Sequence, residues 1–151
     1  MKPLFVLLLA SGISYLVLRF FLPAVNPKMA GTIGLSVMLL FTSIGHFKFS
    51  KGMAKMLPAF VPNRSAIVFG SGILEIGFAI GLLLTATRMV TGWVLILFFL
   101  AILPANIYAT TQHLNYETGE ANGPGLAYLW FRIPFQLLLL GWTYYFGILN
   151  F

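Results

Sequence analysis

The chain has 151 residues, 60% of them apolar and only 8% charged. Soluble domains average about 25% charged residues, so a water-soluble surface cannot be dressed from this composition, and a mean hydropathy of +0.95 agrees. The net charge of +6 comes from nine Lys and Arg against three Glu. These bases lie mostly between apolar runs, where they anchor a chain to anionic lipid and set its orientation rather than bind nucleic acid. With no cysteine, disulfides, thiolate metal ligands and thiol redox chemistry by this chain are excluded. His46, His113 and the three glutamates are too scattered in sequence to suggest a metal site, and none is expected.

Five apolar runs follow one another, at about 4–25, 30–47, 66–85, 89–108 and 126–149, the last apolar through Phe151. Each is long enough to cross a hydrocarbon core as a helix, which needs about 20 residues. None alternates with period two, so a barrel is not expected, and backbone groups in lipid must pair within the segment. The first run begins like a signal peptide, at Met1-Lys2-Pro3. It continues to Val25 without a small-x-small cleavage site, and is read as a span. Two connections are tight. The others are a basic stretch, 48–65, with Pro58 and Pro62, and a polar one, 110–125, that ends in the turn signal Asn122-Gly123-Pro124-Gly125. The whole of 1–151 reads as one transmembrane domain, an all-α integral membrane helical bundle.

Five crossings put the N-terminus and both longer loops on one side. That side carries Lys2, Lys48, Lys51, Lys55 and Arg64; the other carries Arg19, Lys28 and Arg88. Basic residues in short loops mark the cytoplasmic face. The expected arrangement is a bacterial inner-membrane protein with its N-terminus in the cytoplasm and Phe151 outside. Lys48, Lys51 and Lys55, three and four apart among Met53, Met56, Leu57 and Phe60, predict a short helix lying on the membrane surface. Gly70, Gly77 and Gly81 share one side of the third span and predict a seat for a neighbouring helix of the same bundle, with a homodimer seam as the alternative.

Ionisable groups inside a span are costly, and each asks for a reason. Glu75 lies about 14 Å along its helix and Arg132 about 9 Å along its own, both counted from the cytoplasmic end. His46 closes the second span on that side, and Asn106 nearly closes the fourth. Ser71, Glu75 and Ala79 share a face; Tyr128, Arg132 and Gln136 recur every four residues; Asn106, Thr110 and His113 align if the fourth helix continues. The expected site is therefore a polar cluster of His46, Ser71, Glu75, Asn106, Tyr128, Arg132 and Gln136. Within it, Glu75 and Arg132 should interact directly or through a water or a ligand head group. Two readings stand side by side: a structural pair that holds helices in register, or a pocket for the polar head of a lipophilic molecule. Pro104 and Pro134 fall in the same zone and free the carbonyls of Leu100 and Trp130.

The elements also come in a familiar order. Gly45-His46-Phe47 leads to Met56-Leu57-Pro58-Ala59-Phe60-Val61-Pro62, then Gly72-Ile73-Leu74-Glu75, Gly81-Leu82-Leu83-Leu84, Thr87-Arg88 and Pro104-Ala105-Asn106. This resembles the DoxX-like family of small helical membrane proteins, from about Gly31 to Trp142. The resemblance implies a four-helix core built from the second to fifth runs, with the first as an N-terminal transmembrane addition. Related proteins serve different roles. Some accompany membrane redox systems, including a thiosulfate:quinone oxidoreductase, and a distant animal relative is a chaperone for acetylcholine-receptor assembly. The lack of cysteine departs from the thiol-based versions. Glu75 matches the family's glutamate in the second core helix.

No nucleophile–base–orienter set, dinucleotide fingerprint or P-loop is present. The expected function is thus that of a non-enzymatic accessory protein binding a lipid, a quinone or a membrane-protein partner. The alternatives are a subunit of a quinone-linked oxidoreductase, with Glu75 or His46 moving protons, and an assembly chaperone. A transporter is the weakest, for want of an inverted repeat. Expected partners are membrane lipids, another membrane protein or a second copy, and no nucleic acid; the expected cofactor is a bound lipid or quinone, if any.

Overall fold

A computed structural model describes residues 2–22, 24 and 26–149. Among them the chain is helical and carries no strand. The elements are α1 (Lys2–Phe21), α2 (Met29–Lys48), the short α3 (Ser50–Ala54), α4 (Arg64–Leu83), α5 (Arg88–Thr111) and α6 (Leu129–Trp142). Helices α1, α2, α4 and α5 are long and apolar enough to cross a membrane. The expected ends of the first run at Val25 and of the chain at Phe151 lie outside the described residues.

The last apolar run is helical but divided. A 3-10 turn, Gly125–Tyr128, leads into α6, and a π-helical turn, Thr143–Ile148, follows it. At 14 residues α6 alone covers about 21 Å, short of a hydrocarbon core of about 30 Å; the two flanking turns lengthen the helical path. Helix α2 holds the π turn in place. Thr32 donates to the carbonyl of Phe146 at 2.8 Å, and the Trp142 indole donates to the carbonyl of Gly31 at 3.0 Å.

In lipid, apolar side chains gain little by leaving the solvent for one another, so cohesion rests on close packing and interhelical hydrogen bonds. Helix α2 is built for both. Its small residues Gly31 and Gly34 lie against the Phe146 ring and against Ser11 of α1, where an added Cβ would overlap those neighbours. Around them Leu7, Leu35, Met38, Leu39, Leu82, Leu95, Phe99, Phe135 and Leu139 form the core.

Helix α4 packs through Val68, Gly72, Glu75, Ala79 and Leu82, spaced as one helical face. This corrects the expectation for its glycines. A Cβ at Gly70 or Gly77 would meet nothing within 4 Å; of the three, only Gly81 touches a neighbour, Thr91 of α5. The rotation of α4 that turns Glu75 inward brings Gly72 to the helix crossing and leaves Gly70 and Gly77 facing outward.

Arg88, counted in the charge census among the connecting basic residues, does more than mark a side. It is buried, and donates to the carbonyls of Leu82 at 2.8 Å and Leu83 at 3.3 Å. A guanidinium there satisfies carbonyls that the end of α4 leaves without helical donors, and complements the helix dipole.

At the opposite end three segments meet. Lys2 pairs with Glu117 at 2.7 Å, Lys55 donates to the carbonyl of Gly119 at 2.9 Å, and Gly52 lies against the carbonyl of Tyr116. The start of α1, the α2–α4 connection and the α5–α6 loop therefore share one end of the bundle. The hydrogen bond from Lys2 holds the Glu117 carboxyl below the usual carboxylate range. The helix expected between Lys48 and Phe60 is the single short α3, which stops before Lys55. Helix α5 stops at Thr111, and His113 takes a left-handed backbone with φ 51°. His113 accordingly does not continue the line of Asn106 and Thr110.

Candidate functional site

The last turn of α2 lies against the first turns of α4, and Gly72 sets the distance. A Cβ at that position would stand 2.9 Å from Cβ of His46 and 3.1 Å from the Phe47 ring. The missing side chain leaves the His46 imidazole room to lie along α4. Its Nδ1 is 3.1 Å from the carbonyl of Val68, and its Nε2 is 3.5 Å from Oε2 of Glu75. Val68, Gly72 and Glu75 are spaced i, i+4 and i+7, so one helix face presents an acceptor, a gap and a carboxyl in sequence.

The Val68 contact selects one imidazole tautomer. A carbonyl only accepts, so Nδ1 carries a hydrogen, and in a neutral ring Nε2 would then be bare. A bare nitrogen and an ionised carboxylate would set two lone pairs against each other. The pair is attractive only when it holds one more proton, as imidazolium with carboxylate or as imidazole with carboxylic acid. His46 and Glu75 thus form a one-proton site between two helices. Glu75 is only 4% exposed. Its Oε2 lies within ion-pair range of His46, yet makes no hydrogen bond.

Arg132 approaches from α6. The side chain is partly exposed, but its Nε is buried and has no hydrogen-bond partner. Burial weighs most on its guanidinium, with Tyr128, Glu75 and Tyr116 within electrostatic range. Among the described residues the ion pair of Glu75 is with His46 and not with Arg132; the arginine senses that carboxyl without closing on it. One turn along, Gln136 is 2% exposed and donates to the carbonyl of Phe99 at 2.6 Å, joining α6 to α5, while its Oε1 finds no partner. That acceptor sits one residue before Leu100, whose carbonyl Pro104 leaves without its helical donor.

The other expected members stand apart. Ser71 turns its hydroxyl back to the carbonyl of Ile67 at 2.8 Å, and the Asn106 amide donates to Ile102 of its own helix at 3.0 Å. The structure therefore joins His46 to Glu75, sets Tyr128 and Arg132 within electrostatic reach, and occupies Ser71 and Asn106 locally. Three contributors were missed in the sequence: the Val68 carbonyl, Gly72 and Tyr116. Only Gly72 and Val68 left a signal, their spacing from Glu75 on one helix face.

What remains is a set of buried, unspent groups in one half of the bundle: Oε2 of Glu75, Nε of Arg132 and Oε1 of Gln136. An unmade buried hydrogen bond costs about 1–3 kcal/mol, so these groups favour any occupant that offers both a donor and an acceptor. No third His, Asp or Glu joins His46 and Glu75 to make a metal-binding group among the described residues.

No curated protein and no solved structure matches the chain. A family model described as Domain of unknown function (DUF8561) matches residues 35–147, a stretch that begins inside α2, ends in the π turn and includes His46, Glu75, Arg132 and Gln136. This small, all-helical, multi-pass membrane protein belongs to that family.

Proposed function

We propose that the chain is a DoxX-like accessory protein of the membrane, binding the polar head of a lipid or quinone at the His46–Glu75–Arg132 cluster. The observation that carries this reading is the coexistence, in a membrane-spanning bundle, of three buried polar atoms that make no hydrogen bond: Oε2 of Glu75, which has only the ion-pair contact to His46, Nε of Arg132 and Oε1 of Gln136. A hydroxyl would donate to Glu75, and a carbonyl or phosphate oxygen would accept from Arg132. In this reading the four-helix core is α2, α4, α5 and α6 and α1 is an addition, in keeping with a family match that starts at Leu35. The site residues proposed are His46, Glu75, Tyr128, Arg132 and Gln136; Ser71 and Asn106 bond within their own helices. Other partners in this role would be a membrane protein or a second copy.

Native mass spectrometry of the purified protein tests the reading. Wild type is expected to carry a lipophilic adduct that both Glu75→Leu and Arg132→Gln lose. Adduct retained in full by both variants would refute it. The one-proton His46–Glu75 pair favours one second reading, a subunit of a quinone-linked oxidoreductase, because a quinone takes up protons on reduction. An adduct with quinone mass and absorbance, oxidised and reduced reversibly in the intact protein, would select it.

We place the protein in a bacterial inner membrane with its N-terminus and the end bearing Lys48, Lys51, Lys55 and Arg64 in the cytoplasm, following the basic loop. In this cysteine-free chain, Lys51→Cys is expected to resist a membrane-impermeant thiol reagent in intact cells and to react after lysis. Labelling in intact cells would reverse the orientation.

A further inference from the structure

A second site lies outside the polar cluster. Where the α2–α4 connection enters α4, a cavity of about 560 Å³ is lined by Ala54, Lys55, Val61, Asn63, Arg64, Ser65 and Ala66. Two of these are cationic and none is acidic. Lys55 commits one contact to the carbonyl of Gly119, and Arg64 one, at 3.3 Å, to the carbonyl of Leu57. An ammonium has three donors and a guanidinium five, so both keep hydrogens for an anion.

The surroundings place this cavity at the membrane interface. Arg64 is the first residue of a helix long and apolar enough to span. Beside Val61, Phe60 is 86% exposed, an aromatic with no protein to cover it. From the edge of the cavity, Ala66, Gly70, Ile73 and Gly77 follow at i, i+4, i+7 and i+11 on one face of α4. Ile73 is exposed, and a Cβ at Gly70 or Gly77 would meet nothing within 4 Å. The face is therefore uncovered by the rest of the chain, a shallow trough at its two glycines with the exposed Ile73 between them, and it begins beside two cations. Thr91, packed against Gly81, marks its far end.

We propose that this cavity and trough bind one anionic phospholipid, its phosphate between Lys55 and Arg64 and one acyl chain along Ala66, Gly70, Ile73 and Gly77. A free phosphate would use the cations but not the trough. A second copy of the chain suits the trough poorly. Copies inserted in the same orientation about a two-fold axis would bring their Lys55 and Arg64 clusters to the same depth, like charge towards like. The site is separate from the His46–Glu75 cluster and does not depend on what that cluster binds.

The test uses the full chain in a neutral detergent, titrated with phosphatidylglycerol or phosphatidylcholine of identical acyl chains and followed by thermal shift and native mass spectrometry. Phosphatidylglycerol is expected to raise the melting temperature and to remain bound singly, and phosphatidylcholine to do neither. Lys55→Gln and Arg64→Gln should each weaken the apparent affinity about fivefold, the loss usual for one basic residue at an anionic surface. Lys51→Gln removes the same charge outside the cavity and should change nothing. Gly77→Leu fills the trough with both cations intact and should also weaken retention. Lys55→Arg and Arg64→Lys preserve the charge and should retain the lipid, which separates loss of binding from loss of fold. The proposal is overturned if phosphatidylcholine binds as well, if Lys51→Gln loses as much, or if inorganic phosphate alone gives the full shift. A Gly77→Leu variant that changes the oligomeric mass but keeps the lipid overturns it in favour of a second copy.

Discussion

Replacing Glu75 by leucine is expected to destabilise the protein by about 1–3 kcal/mol, the cost of stranding buried polar groups. The imidazole of His46 loses the partner at 3.5 Å that shares its proton, and Arg132 loses the one carboxyl that acts on it. His46→Leu should cost a similar amount, because it takes the ion-pair partner from the carboxyl of a residue that is only 4% exposed. The double variant His46→Leu/Glu75→Leu should recover the part of both losses that comes from breaking the pair, while Arg132 stays without its carboxyl. A coupling of about 0.5–3 kcal/mol is the range for side chains in contact. Glu75→Gln is the informative intermediate: its amide can donate to the bare Nε2 of His46, so it should cost less than leucine. Equilibrium unfolding or melting in one detergent checks all four proteins. Simple addition of the two single losses would show that the residues do not communicate.

The second large effect is expected at Gly34. A Cβ there would stand 2.9 Å from both the Cβ and the backbone nitrogen of Ser11, and closer still to its hydroxyl. The hydroxyl can rotate away, but the backbone of α1 cannot. Gly34→Val must therefore push α1 off α2, for about 1–3 kcal/mol of overpacking. Hydrogen exchange in α1 should rise with the fall in melting temperature. Gly12→Val, one residue along α1 from Ser11, adds its side chain where nothing lies within 4 Å. It should stay within about 0.5 kcal/mol of wild type. Equal effects at the two glycines would mean that α1 does not pack on α2 at this contact.

Much of the helical layout was legible because apolar runs of span length leave few alternatives in lipid. The half of the bundle holding Glu75, Arg132 and His46 was legible too, since alternating chain direction returns α2, α4 and α6 to the same end. Partners were harder to read. Periodicity aligned Gly70 with Gly77, but which face of α4 turns inward depends on how α2 lies against it, and that is settled at Gly72 and His46. Charge pairing joined Glu75 to Arg132, the most opposite of neighbours, whereas the helix crossing brings the imidazole closer. Arg88 counted as a loop charge, because a count of basic residues is blind to the carbonyls of Leu82 and Leu83 that bury it. The division of the last run was illegible for a similar reason: the π turn is held by donors from Thr32 and Trp142, contacts distant in sequence.

The reading of the polar cluster as a head-group site is tested most directly by an experimental structure of the protein purified from its native membrane. It predicts an elongated non-protein density reaching in from the lipid, with its polar end within hydrogen-bond distance of Oε2 of Glu75 and Nε of Arg132. A cluster closed around isolated waters, or a Glu75–Arg132 contact with no density beside it, would contradict the reading and leave these residues as a structural clamp.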